Sequence, residues 1–316
     1  MIAFSVLHYK NEEDTINCID SILNNKFENY LIFLLDNSEE KNTLKERYDN
    51  EKKIIFYKSK KNLGFASGNN FLVDKILNYK EIKSIIFLNN DTVIEKDFLS
   101  EIEKKIKISN AKYFYFKIYN YKNRNKIDSI GIEFTTSGVA FNKISEKAKT
   151  FCPMGACMLY KVDLITELID KHGYFFDDSY FCYAEDLDVG FRSLLLGYEC
   201  DFINTKIYHK GSASTFKMSD FSIFHSYRNI NWTIQKNYPK KFLIKYFFWI
   251  RLAKFGIILN SILKNRYKIY HKSYKSSKEN KFEINEKRKK IQNTKKISNK
   301  KLLKYFTKSL YSKDYL

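Results

Sequence analysis

The chain is poor in several things a sequence reader looks for first. Its 316 residues include only five cysteines, Cys18, Cys152, Cys157, Cys182 and Cys200, an odd number without metal-type pairing. Each lies in an apolar or aromatic setting, so they read as free buried thiols in a reducing compartment and not as a disulfide or zinc framework. Ten glycines assemble neither a complete dinucleotide fingerprint nor a phosphate-binding loop ending in Lys-Ser/Thr. The opening apolar run, Met1 to Leu7, has no basic flank and is too short for a secretory leader. No internal repeat is visible. These absences point to a cytoplasmic protein.

Acidic residues are also scarce, 36 Asp plus Glu against 56 Lys plus Arg. The imbalance is local: from Arg251 onward there are 20 basic and 4 acidic residues, leaving 36 against 32 in the first 250. The sequence therefore divides into a near-neutral body and a basic appendage. Hydrophobic residues at 44% and aromatics at 17% suffice for a packed core. A nucleic-acid-binding protein would suit the net charge, yet the basic end contains no motif that reads DNA or RNA, so no nucleic-acid partner is expected.

Within the first 110 residues, short apolar runs (Ile2 to Leu7, Leu31 to Leu35, Ile54 to Tyr57, Ser84 to Leu88) alternate with segments of helical spacing. Near-continuous apolar strands with helical crossovers imply a parallel sheet covered on both faces. Ligands bind such sheets beyond the carboxyl ends of the strands. Those ends are His8-Tyr9-Lys10-Asn11, Asp36-Asn37-Ser38 and Asn89-Asn90-Asp91, with Asn62 to Asn70 following the third strand. Residues 111 to 150 read as a few exposed strands.

Each polar cluster has two readings. Asp91 either holds a divalent metal against a diphosphate or caps a helix near Glu95. Gly64 to Asn70 is either a turn or a loop that lets backbone N–H groups approach a nucleotide. Glu185 and Asp186 open a helix, where acids are favoured by the dipole, and Asp186 could equally be a general base. Asp188 reads as the structural partner of Arg192 at i+4. His209 could complete a mixed oxygen and nitrogen metal site with Asp91.

Taken in order, these pieces resemble the GT-A glycosyltransferases of family 2, in particular the bacterial rhamnosyltransferase-like branch. The resemblance rests on Asn62-Leu63-Gly64-Phe65-Ala66-Ser67-Gly68-Asn69-Asn70, Asn89-Asn90-Asp91, Gly155-Ala156, Phe176-Asp177, Tyr183 to Asp188, Arg192, Gly197-Tyr198 and His209 to Ser214. It implies an α/β, Rossmann-like GT-A fold for nucleotide-diphospho-sugar transfer, with a C-terminal helical, basic extension. It also implies nucleotide-sugar contacts from His8, Tyr9, Asp36, Asn62, Gly64, Phe65, Gly68, Asn69 and Asn90. Asp91 and His209 would ligate Mg2+ or Mn2+, with Asn89 standing where relatives carry a first Asp. Asp186 would be the base, oriented by Glu185, in a single inverting displacement.

The implied donor is dTDP-rhamnose or a UDP-sugar, and the acceptor a surface-glycan or lipid-linked hydroxyl, as in capsule or lipopolysaccharide assembly. A sugar nucleotidyltransferase of similar fold is the alternative, although His8 to Asp14 has no glycine. No Gln-x-x-Arg-Trp motif of processive synthases occurs, so one sugar per acceptor site is expected.

The expected organisation is a catalytic domain over 1–240 (donor half about 1–110, acceptor half about 111–240), an amphipathic membrane-interface segment over 241–271 and a basic, mobile tail over 272–316. Four cations interrupt the apolar stretch 241–263, which argues against a bilayer span and for a helix lying in the interface, or else packed on the domain. Residues 241–316 are expected to attract an anionic membrane surface, placing the protein peripherally on the inner face of the cell membrane.

Overall fold

The computed structural model describes residues 1–211, 219–310 and 312. Chain order in the first half is β1 (Ile2–His8), α1 (Glu12–Leu23), β2 (Tyr30–Asp36), α2 (Leu44–Tyr48), β3 (Ile54–Lys58), α3 (Gly64–Ile76), β4 (Ser84–Asn89), β5 (Thr92–Ile94) and α4 (Phe98–Ile108). The order β3-β2-β1-β4 is parallel throughout. These strands are the apolar runs of the sequence. They are buried on both faces, with Phe4, Val6, Leu34, Ile86 and their neighbours packed under α1 and α4, and Ala3, Phe33, Leu35 and Phe87 packed under α3. Register aligns His8 with Asp36 and Leu7 with Asn89, so the polar strand ends share one edge.

The sheet continues through β6 (Tyr113–Asn120), β7 (Ile127–Ser129), β10 (Cys157–Lys161) and β11 (Asp201–His209), while β8 (Ile132–Phe134) and β9 (Ala140–Asn142) form a separate pair. β10 runs antiparallel to both β4 and β6, β11 parallel to β6, and β5 closes the edge antiparallel to β11. The exposed strands expected over 111–150 are corrected here. β6 is interior, with Tyr113, Phe114, Phe116 and Ile118 buried, because alternation of these residues with Tyr115 and Lys117 hides an inward face within a polar-looking composition.

Helices α5 (Val162–His172) and α6 (Glu185–Leu195) arise where the apolar spacing puts them. Then α7 (Asp220–Asn237), α8 (Lys240–Lys245), α9 (Phe247–Leu263), α10 (Tyr267–Glu279), α11 (Lys281–Asn293) and α12 (Asn299–Leu302) follow. The expectation of a mobile tail over 272–316 is corrected for the described part of that segment. Ile284, Ile291, Ile297 and Leu302 are at most 4% exposed. Full burial of such side chains stabilises by roughly 1.5–3 kcal/mol each. Ile291, Ile297, Leu302 and Phe306 join Phe134, Phe191, Tyr238 and Phe242 in one aromatic-rich cluster. The tail's cations hid these apolar residues, which recur only every four to seven positions.

Cations of this segment also pair with acids earlier in the chain: Lys287 with Asp177 at 2.6 Å, Lys296 with Glu167 at 3.1 Å and Lys301 with Glu199 at 2.7 Å. Behind α6, Lys236 lies fully buried between Asp177 and Asp188, and Arg192 Nε reaches Asp188 at 2.9 Å. The structural reading of Asp188 is therefore the one that holds.

Helix α9 has two apolar sides. Ile250 and Ala253 face inward, whereas Phe248, Trp249, Phe255, Leu259 and Ile262 are 44–68% exposed. No helix among the described residues is long and apolar enough to cross a membrane.

Candidate active site

A cleft of about 1140 Å3 opens beyond the carboxyl ends of the parallel strands. This exceeds the usual range for small-molecule sites, about 300–1,000 Å3, so it has space for two reactants. Its lining includes Tyr9, Asn62, Gly64, Phe65, Asn69, Asn89, Asn90, Asp91, Glu185, Asp186 and His209. Residues from five separate elements thus meet in one place.

Three sequence candidates stand back from it. The His8 side chain is buried, with Nδ1 2.8 Å from Thr15 Oγ1, and burial lowers its pKa so that it is neutral. Asp36 is buried with its oxygens occupied by Lys58 Nζ at 2.5 Å, Asn42 Nδ2 at 2.7 Å and the Ser38 N–H at 3.0 Å. Gly68 packs against the sheet, where an added Cβ would sit 3.0 Å from Leu7 Cδ1. It allows close helix–strand approach. None of the three lines the cleft.

Residues 64–70, read from sequence as a turn or loop, are the first two turns of α3. The helix can start there because Asn62 Oδ1 accepts from the Gly64 N–H at 2.8 Å and from Asn37 Nδ2 at 3.1 Å, while Asn37 Oδ1 accepts from the Leu63 N–H. Gly64 has φ +72°, and a Cβ there would lie 2.5 Å from the Phe181 carbonyl oxygen. Only glycine fits this junction. Asn69 is fixed by Ser5, whose hydroxyl donates to its Oδ1 at 2.7 Å.

Asp91 occupies the turn between β4 and β5. Helix α4 starts only at Phe98, so the capping reading is excluded. His209 Nε2 lies 3.3 Å from Asp91 Oδ1, and Nδ1 lies 3.0 Å from Asp128 Oδ2. Burial works against the Asp91 carboxylate, but its hydrogen bond and charge interaction with His209 hold its pKa below the usual value. Burial opposes the imidazolium too, and the two carboxylates outweigh it, raising His209 to about 9.

Among the described residues no three His, Cys, Asp or Glu side chains converge as a complete metal site. Asp91 and His209 supply a hard carboxylate oxygen beside a borderline imidazole nitrogen, which suits an open site whose other positions go to phosphate oxygens or water. Asp128 would then orient the imidazole from behind. Nothing in the sequence marked Asp128, which comes from β7. Ser212 and Ser214 of the His209 to Ser214 motif lie outside the described residues.

Asp186 sits in the first turn of α6. Its Oδ2 accepts from the Gly155 N–H at 2.7 Å and its Oδ1 from the Leu187 N–H at 2.7 Å. Burial raises its pKa against these donors, and burial together with Asp186 raises that of Glu185 further. Glu185 is 6% exposed and one of its oxygens has no hydrogen-bond partner. Of the two, Glu185 therefore holds its proton the more tightly, and Asp186 is the more readily ionised. The approach to the pair is strained: Phe181, Tyr183 and Ala184 all have φ between +64° and +70°.

A mixed sheet with a parallel half, an open cleft at its carboxyl edge and an acid pair at a helix start define a glycosyltransferase of the GT-A type. The sequence profile described as glycosyl transferase family 2 matches residues 6–169, and the chain belongs to that family. No curated protein sequence matches it. Among solved structures it is similar to S. aureus TarS 1–349 in complex with UDP-GlcNAc, with 16% identity and TM-score 0.55, covering 93% of this chain and 88% of that one. It is also similar to GalNAc-T7 with UDP, GalNAc and Mn2+, with 10% identity and TM-score 0.57, covering 75% and 48%. The longer crystallised TarS chain matches with TM-score 0.51 and 17% identity over 78% of this chain, which spans only 43% of that protein. At these identities the likeness concerns the fold.

Proposed function

We propose that the chain transfers one sugar from a nucleotide-diphosphate sugar to a hydroxyl of a glycan or lipid-linked acceptor, with inversion. The observation that carries this reading is the sharing of one cleft by Asp186, tethered to Gly155, and the Asp91–His209 pair. Tyr9, Phe65, Asn69 and Asn90 line the donor side, and the N-terminus of α3 adds a favourable dipole for phosphate. Asp186 accepts the acceptor hydroxyl's proton as the oxygen attacks the anomeric carbon. Its raised pKa makes it a better base than an ordinary aspartate, and the Gly155 N–H fixes its direction.

A Mg2+ or Mn2+ held by Asp91 and His209 would supply charge stabilisation to the departing diphosphate. UDP in the two neighbouring structures supports a uridine donor, and dTDP-rhamnose is the second to try. The exposed apolar side of α9 and the basic residues around it support peripheral attachment to an anionic membrane, on the cytoplasmic face.

The test is a screen of nucleotide sugars for hydrolysis or transfer with Mg2+ or Mn2+. Turnover of one donor that Asp186→Asn abolishes is expected. Absence of turnover and of thermal stabilisation by every donor would refute the reading.

A further inference from the structure

The cleft does not end at the catalytic groups. It continues past Ile230 and Tyr227 to Ala253, Lys254 and Ile257 of α9 and Tyr270 of α10. We propose that Lys254 is the anion-binding end of an acceptor subsite, taking the phosphate group of a lipid acceptor whose chain leaves along the exposed apolar side of α9. This deepens the glycosyltransferase reading and rests on it.

Lys254 is a cation without a counter-charge. It is partly buried, and the charges that act on it are two cations and no acid. Burial, with smaller contributions from the charges of Arg251 and Lys278, lowers its pKa to about 8. A half-buried ammonium next to two other cations is unfavourable unless an anion joins it. Other deeply placed cations among the described residues are either matched by acids, as Lys236 is by Asp177 and Asp188, or held by backbone carbonyls, as Arg228 is by Ser179 and Tyr180 and Arg288 by Gln235. The phosphate of a ligand entering the cleft would complete the group.

The same helix explains why that ligand would be a lipid. Phe248, Leu252, Phe255, Leu259 and Ile262 recur at three- and four-residue spacing and form an exposed stripe 38–68% accessible. Lys254 and Ile257 lie on the cleft side of this helix. An apolar stripe of this size on a water-exposed helix marks an interaction surface. Residues 240–264 contain six cations and no acid. Pairing this face with a second copy would oppose like charges, whereas an anionic lipid surface complements both its apolar and its basic character.

The experiment needs no sugar donor, so its failure is separate from failure of the glycosyltransferase reading. Trp249 on α9 is 48% exposed and reports binding by its fluorescence. Dodecyl phosphate, dodecyl maltoside and inorganic phosphate are titrated below the micellar concentration into the full chain. Dodecyl phosphate is expected to bind at least about tenfold more tightly than either of the others. Lys254→Met removes that preference and Lys254→Arg keeps it.

On the unaltered protein, dodecyl phosphate should also protect Lys254 from acylation, read by mass spectrometry, which covers the case of a variant that does not fold. The proposal is overturned if the preference survives Lys254→Met or if Lys254 is not protected. It is overturned equally if inorganic phosphate binds as well as dodecyl phosphate, or if a dimer that occludes α9 binds no amphiphile.

Discussion

Asp128 and His209 are joined at 3.0 Å, carboxylate oxygen to Nδ1, and this contact aims the other ring nitrogen at Asp91. The two residues belong to β7 and β11, which never pair directly but flank the same strand, β6. A ring held from behind in this way presents Nε2 in one orientation. Losing such an outer contact usually weakens metal binding about 10–100-fold. Asp128→Asn should therefore raise the Mn2+ concentration needed for half-maximal donor hydrolysis by a factor in that range. Direct Mn2+ binding followed by electron paramagnetic resonance should weaken in parallel. An unchanged Mn2+ affinity would show that the Asp128 charge does not support metal binding through His209.

Asp186→Asn should lower transfer by about 10²–10⁴-fold, the usual contribution of a positioned base. The substitution keeps an acceptor for only one of the two N–H groups that Asp186 holds, those of Gly155 and Leu187, so circular dichroism should be unchanged and stability should fall by about 1–3 kcal/mol. The rate of the unaltered enzyme should fall on acidification, since the base acts only when ionised. Burial raises the Asp186 pKa, which puts that fall above the roughly 3.9 of a free aspartate. A flat profile from pH 7 to pH 4 would count against Asp186 as the base.

His172 links stability to pH. Its Nε2 lies 2.9 Å from Thr294 Oγ1 and its Nδ1 faces Arg192, so the ring must be neutral. Burial, then Arg192, lowers its pKa to about 3, against about 6.5 in the unfolded chain. Between those values the unfolded state binds the extra proton. Its contribution is full above pH 6.5 and declines toward pH 3, by up to about 1.4 kcal/mol per pH unit. Urea melts of His172→Gln should show a shallower acid dependence than the parent.

Lys236→Met should cost about 3–5 kcal/mol, because it leaves Asp177 and Asp188 buried without their shared cation. Lys287→Met should cost less, since Lys287 is partly exposed and Asp177 keeps Lys236. Paired chemical melts compare the two. Equal losses would mean that Lys236 is not the central charge.

The sequence was readable where structure is local. The four apolar runs became β1 to β4 with shifts of a residue or so, since a strand buried on both faces has to be apolar along its length. The helix starting at Glu185 was equally visible from its acids and its i, i+4, i+7 pattern. What stayed hidden depends on partners distant in the chain. Asp128 gains meaning only through His209, and a buried lysine such as Lys236 looks like any surface lysine until its acids are located. His8 and Asp36 were placed at the correct strand ends, yet their side chains were taken by Thr15 and Lys58. Position along a strand can be read from sequence more readily than the direction a side chain takes after it.

The packing of Phe306 and Ile291 beside Tyr238, together with the Lys287–Asp177 bridge, has a consequence for how this enzyme can be dissected. The basic region is not a removable anchor. A chain cut at residue 240 would strip one wall from the aromatic cluster and one cation from Asp177, so insolubility of such a fragment would say nothing about lipids. Point changes on the outer stripe of α9 are the way to separate attachment from folding. The same geometry joins α9 to α6 through one shared aromatic core and not through a flexible tether, since Ile250 packs in the cluster that contains Leu187 and Phe191.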